Sequence, residues 1–212
     1  MVEAKEREPK KALNVVLLPN EAVNNKALTF SYQVTRTNSS AFQLDNDSHL
    51  PHISLYQGYY PERNVDELIL RLMDIAQDSV NISIAMNGFR LSRGGFVWWK
   101  AVNSTELQAL HERVLEQANP LREGLVAPNI KDLMSGLSAD ETEMVEKTGS
   151  VINKELFSPH ITLARLTRVS QNPLACLSGY DTNVSFSPTN LVVADMGQHG
   201  TISKIVEKIP LS

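Results

Sequence analysis

Pro51-His52-Ile53-Ser54-Leu55 and Pro159-His160-Ile161-Thr162-Leu163 match almost letter for letter within one chain of 212 residues. From the chain's composition, such a string is expected by chance at roughly one position in a million, so two copies point to an internal duplication. Each pentapeptide reads as a strand, because residues i and i+2 of a strand share a face while i+1 and i+3 take the other. His52 with Ser54, and His160 with Thr162, then line one face; Ile53, Leu55, Ile161 and Leu163 fill the core behind them. A leading proline suits the first residue of a strand, where its missing N–H costs little.

Two such strands brought together about a pseudo-two-fold axis would aim two imidazoles and two hydroxyls into one groove. Displacement at phosphorus needs a base for the incoming oxygen and an acid for the leaving one, and imidazole titrates near neutrality. Ser54 and Thr162 would donate to the non-bridging oxygens without adding negative charge. The scheme requires no metal and no cofactor. Either motif alone would read more readily as a pair of satisfied structural histidines; the duplication favours a paired catalytic role.

Outward from the motifs, Leu13 to Leu18 reads as a buried strand ended by Pro19. Residues 21–37 are ambiguous: Ala22, Ala27 and Leu28 suit a helix, whereas 30–34 alternate like a strand. Asn64 with Glu67 predicts a capped helix to about residue 78, and Thr105 with Gln108 a second, stopped by Pro120. Residues 80–85, 89–91 and 96–102 read as strands, punctuated by Asn87-Gly88 and Arg93-Gly94-Gly95. Residues 120–150 show no strand signal but hold the capping box Ser138 to Glu141, which predicts a polar helical excursion. Residues 184–193 and 201–209 form a closing hairpin. The order predicts an α+β fold with mostly antiparallel pairing. A frayed tail is expected over 1–12 and a single domain over 13–212.

The chain has 42% hydrophobic and 21% charged residues and a net charge of −4, enough apolar content for a sizeable core. Its pI of about 5.7 argues against binding long nucleic acid through a broad basic surface. Neither a signal-peptide core nor a membrane-spanning run is evident, and Cys176 is the sole cysteine; a cytoplasmic protein is expected.

The paired His-x-[Ser/Thr]-x-hydrophobic motifs, with the longer string Pro159 to Arg165, resemble those of the 2H phosphoesterases. That family includes cyclic phosphodiesterases acting on RNA ends and the bacterial 2′-5′ RNA ligase-like proteins. The resemblance extends over the opening strand, the Trp98 strand and the closing hairpin. It implies a bilobal fold of two antiparallel sheets with helices outside and the motifs facing across a central cleft. It also implies His52 and His160 as acid and base, with Ser54 and Thr162 holding the phosphate. Ser54 departs from the commoner threonine but keeps the hydroxyl. The expected substrate is a cyclic phosphate or 2′-5′ linkage on a nucleotide or short RNA end. A non-catalytic nucleotide-binding module would use the same residues.

Three further side chains are candidates for substrate contact. Tyr56 shares the face of His52 by strand parity. Arg165 falls on the opposite face from Thr162, so a phosphate contact from it requires a twist or a bulge. Of Trp98 and Trp99 one must face the core, and Trp98 is the candidate for base stacking. His49 lacks companions for a zinc site and reads as a solvated loop residue. His111 lies on an inner helix face and His199 in a glycine-flanked turn, both read as structural. Cys176 reads as a small buried residue, and Asp45-Asn46-Asp47 is rejected as a calcium loop because Leu50 stands where glycine is required.

Overall fold

A computed structural model describes residues 8–79, 82–131, 134–150 and 154–212. Strand β1 (Lys10–Leu17) alternates sharply, with Leu13, Val15 and Leu17 in the main core and Val16 in a small second cluster on the other face. It starts inside the segment expected as a tail, where Lys10 pairs with Pro61. The remaining strands are β2 (Ile53–Pro61), β3 (Ile84–Leu91), β4 (Phe96–Ala101), β5 (His160–Arg165), β6 (Val184–Phe186), β7 (Asn190–Met196) and β8 (Ile202–Pro210). They form one antiparallel sheet of order β6-β3-β4-β5-β2-β1-β7-β8, strongly curled into a half-barrel.

Where two separate sheets were expected, a single sheet is found, and its two four-stranded halves meet at one residue pair, Ile53 against Ile161. Leu17 and Trp99 flank that pair. The row Leu17, Ile53, Ile161, Trp99 is fully buried and holds the middle of the core.

The ambiguous stretch 21–37 is helix α1 (Glu21–Thr37), capped by the Asn20 side chain, which accepts from Val23 N–H. Val23, Ala27, Phe30 and Val34 recur at helical spacing and bury one stripe, which outweighs the local strand-like alternation. Helix α2 (Val65–Gln77) follows as expected, but Asn64 does not cap it. Its amide instead donates to Leu121 O, binding the 120s to the domain. Helix α3 (Thr105–Ala118) is capped by Ser104, one residue earlier than predicted. Residues 120–150 contain the short helix α4 (Pro128–Lys131) and α5 (Ala139–Thr148), whose Ser138–Glu141 capping box is present with both hydrogen bonds.

Asn87-Gly88 makes no hairpin turn. β3 runs through it with a register shift between Met86 and Phe89, and Gly88 takes φ of 67° there, as an inserted residue in a strand favours. Residues 80 and 81 of that predicted strand lie outside the described residues. The stretch 184–193 is two strands rather than one, broken before β7 at Pro188, which has no N–H for a ladder. The hairpin of β7 and β8 forms as expected.

α1, α2 and α3 all contribute to the main core, so the sheet's opposite face carries the motif side chains. α1 packs against β5 and α3 against β2: the helix leaving each half supports the other half's motif strand. Among the described residues no helix is long and apolar enough to cross a membrane.

Candidate active site

The antiparallel pair Ile53–Ile161 fixes the positions of the functional side chains. Continued one residue each way, the register sets His52 opposite Thr162 and Ser54 opposite His160, so all four point away from the core side on which both isoleucines lie. Each histidine thus neighbours the hydroxyl of the other motif. Thr162 and His52 also share a recess of about 10 Å³ with Phe42, Leu44 and Gly200, room for about one water. A depression of about 560 Å³ against the outer side of α3 holds none of the motif residues.

Both imidazoles are held in the same way. His52 Nδ1 lies 2.7 Å from Leu50 O and His160 Nδ1 lies 2.6 Å from Ser158 O. A carbonyl can only accept, so Nδ1 carries the proton and the neutral ring keeps its lone pair on Nε2. Burial holds the pKa of His52 below its ordinary value, opposed by hydrogen bonding to the backbone of Leu50 and Gly200. For His160 burial, with smaller contributions from His52 and Arg90, lowers it to about 4. Trp98 stacks on the His160 ring at 4.0 Å and 22°, and the Arg90 guanidinium lies 5.8 Å from the Trp98 ring centre.

Because both rings take up protons less readily folded than unfolded, the unfolded chain binds more protons as the pH falls. Stability is expected to be full above about pH 6.5, the ordinary imidazole value, and to decline as the pH drops toward 4. Thermal melts across that range should show the decline, and His160→Gln should flatten it.

Beyond the motifs, strand parity fails twice and in the same manner. In β2, Val15 pairs with Tyr56 and Val16 with Ser54, so Leu55 is an extra, bulged residue. In β5, Val97 pairs with Ala164 and Trp98 with Thr162, so Leu163 is extra. A bulge inverts the faces of every residue after it. Arg165 therefore rejoins the face of His160 and Thr162, whereas Tyr56 turns into the core and Gln57 takes its place beside Ser54.

Each bulge frees a carbonyl from the ladder, and a buried polar side chain from the supporting helix satisfies it. His111 of α3 donates from Nδ1 to Leu55 O at 2.7 Å and accepts at Nε2 from Lys154 N–H at 2.9 Å. Ser31 of α1 donates to Leu163 O at 2.6 Å and accepts from Leu44 N–H. Both are fully buried, where an unpaired carbonyl would cost about 1–3 kcal/mol. His111 is thus structural, as its position on the helix suggested.

Tyr56 is 1% exposed and its hydroxyl donates to Thr148 O at 2.7 Å and lies 3.1 Å from Asn119 Oδ1, so it is not brought to the histidines. Tyr56→Phe is expected to reduce stability by about 1–2 kcal/mol in urea unfolding and to leave ligand affinity within twofold. Trp98 lies on the motif face and Trp99 in the core, fully buried. Arg165 donates to the His199 ring at 3.1–3.2 Å and lies over Phe96, while its Nε is buried without a partner among the described residues. His199, read as a simple turn residue, holds this arginine from a backbone with φ of 62°. His49 is not freely solvated: it pairs with Asp45 and stacks on Phe42 at 5.3 Å. Cys176 is half-buried against Pro173 O.

Gln57 and Asn14 were missed. Asn14 is 0% exposed and donates to Ser54 Oγ at 2.8 Å; Gln57 donates to the same oxygen at 3.3 Å. A polar residue inside the apolar run Leu13 to Leu17 was the available signal.

A family model described as the 2′-5′ RNA ligase superfamily matches residues 32–199. Among solved structures, TT0787 of Thermus thermophilus is similar at 15% identity and a TM-score of 0.62, over 94% of this chain and 97% of that one. E. coli LigT complexed with 3′-AMP is similar at 14% identity and 0.62, over 96% and 99%. The same protein complexed with NADP+ gives 15% and 0.54, over 97% and 99%. These likenesses are of fold. No curated protein matches in sequence.

Proposed function

The chain belongs to the 2′-5′ RNA ligase superfamily, and we propose that it is a phosphodiesterase that opens a cyclic phosphate or cleaves a 2′-5′ linkage on a nucleotide or short RNA end. The observation that carries this reading is the Ile53–Ile161 pairing, which sets each imidazole beside the other motif's hydroxyl. The substrate sits against the motif face of the curled sheet, its phosphate across the seam.

His160 is assigned as the base, since a ring with a pKa of about 4 stays neutral at working pH. Its Nε2 takes a proton from water as the water oxygen bonds to phosphorus. His52 is assigned as the acid, the role left to the second imidazole: with Nδ1–H held by Leu50 O, Nε2 is the position that carries the transferable proton. It gives its Nε2 proton to the ribose oxygen as the P–O bond to that oxygen breaks. The product is a phosphomonoester with a free ribose hydroxyl, and exchange with solvent returns both rings to their starting states. Ser54 and Thr162 donate to the non-bridging oxygens, where each well-placed donor contributes on the order of 10²–10³-fold. Arg165 supplies a positive charge on the same face. Imidazoles and hydroxyls meet every need of this scheme, so a metal is not required by it.

A nucleotide-binding module without turnover is the second reading, favoured by the relative crystallised with 3′-AMP and with NADP+. Incubating the chain with 2′,3′-cyclic nucleotides and 2′-5′ oligoadenylate in excess chelator separates the two. Phosphomonoester formation supports the phosphodiesterase. Tight binding without product leaves the module. Failure to join RNA ends with suitable termini counts against ligation, the reverse reaction.

A further inference from the structure

Resting on the phosphate-binding reading of Ser54, we infer that Asn14 and Gln57 are positioning residues that commit the Ser54 hydroxyl to donating its proton toward the bound phosphate. A serine oxygen has two acceptor lone pairs and one O–H. Asn14 Nδ2 at 2.8 Å and Gln57 Nε2 at 3.3 Å occupy both lone pairs, so the proton is the only hydrogen-bonding capacity left over. An oxyanion is what such a donor binds best.

The need for this device follows from the departure of motif one from motif two. Thr162 carries a β-branch, which narrows its χ1 choice, whereas Ser54 has none and turns freely unless held. The two halves differ accordingly. Opposite Gln57 in the ladder stands Asn14; at the equivalent place beside Thr162, Arg165 is opposed by Phe96. The amide pair occurs only on the serine's side.

Asn14 also keeps a polar atom where packing alone would select an apolar one. It is fully buried in an otherwise apolar run, and its Oδ1 has no partner among the described residues. An unpaired buried acceptor lowers stability, which is the mark of a residue retained for something other than folding. The amide's orientation carries the argument: an acceptor in that place would draw the serine proton inward.

The test is a double-mutant cycle on the full chain, read in two ways: kcat on adenosine 2′,3′-cyclic phosphate and Kd for 3′-AMP. Ser54→Ala is expected to lower kcat about 10²-fold, and Asn14→Leu about 10-fold, with the melting temperature unchanged or raised because the orphaned acceptor is gone. In the Ser54→Ala background, Asn14→Leu should change neither kcat nor Kd by more than about twofold, as expected of groups acting as a unit. Asn14→Asp, which can only accept, should be worse than Asn14→Leu.

Equal losses in both backgrounds, or no loss with Ser54 present, overturn the inference. If the unaltered chain binds 3′-AMP but cleaves nothing, the phosphodiesterase reading falls, and the cycle in Kd still decides the role of Asn14. A chain that neither binds nor cleaves overturns both.

Discussion

Replacing His160 with alanine is expected to lower turnover of a 2′,3′-cyclic nucleotide by about 10²–10⁴-fold, the contribution of one general acid or base, while the chain stays folded. The ring sits half-buried on the motif face, outside the main core. What it loses structurally is one hydrogen bond to Ser158 O and its stack on Trp98, together about 1–2 kcal/mol. His52→Ala should match it in kcat, and combining the two should cost little more than either alone, because both act in one proton-transfer sequence. Steady-state kinetics with melting curves on the same samples check this. Full activity in either single variant would falsify the acid–base scheme.

The largest expected loss of stability is at Trp99. Its side chain is fully buried, meets the Phe30 edge at 4.9 Å, and donates from Nε1 to Thr182 O at 3.0 Å. It ends the buried row that runs through the seam pair. Trp99→Ala removes this mass and leaves Thr182 O without that donor, at a cost of about 3–5 kcal/mol, a large part of the roughly 5–15 kcal/mol available to a domain. Urea unfolding should show a midpoint far below that of the unaltered chain. If the alanine variant does not fold, Trp99→Phe, which keeps the ring but not the N–H, should fall between. Trp98→Ala, one residue away on the other face, should cost about 1 kcal/mol and weaken ligand affinity instead. Similar stability losses at both positions would contradict the assignment of faces.

Much of the site was legible in the chain because its signals are local. Two residues of spacing in a strand decide that His52 and Ser54 share a face, and the same holds for His160 and Thr162. Ser138 to Glu141 specifies its own cap. For α1, the strand-like run 30–34 competed with the longer helical stripe, and only burial of Val23, Ala27, Phe30 and Val34 against the core decided it. The two-sheet expectation failed at one residue pair: that Ile53 and Ile161 hydrogen-bond depends on how closely the halves approach, which no strand pattern encodes.

By itself, then, the amino-acid order determined the twin motif, the face shared by each histidine and its hydroxyl, the antiparallel α+β class and most helix spans. Tertiary structure alone decided everything past the motifs: Tyr56 inward, Gln57 and Arg165 outward, and Asn14 beneath Ser54. The reason is physical. A bulged residue is stable in a buried sheet only when its freed carbonyl finds a donor, and here the donors are His111 for Leu55 and Ser31 for Leu163, contributed by helices distant in sequence. Parity along a strand is local information, but permission to break it comes from the packed core.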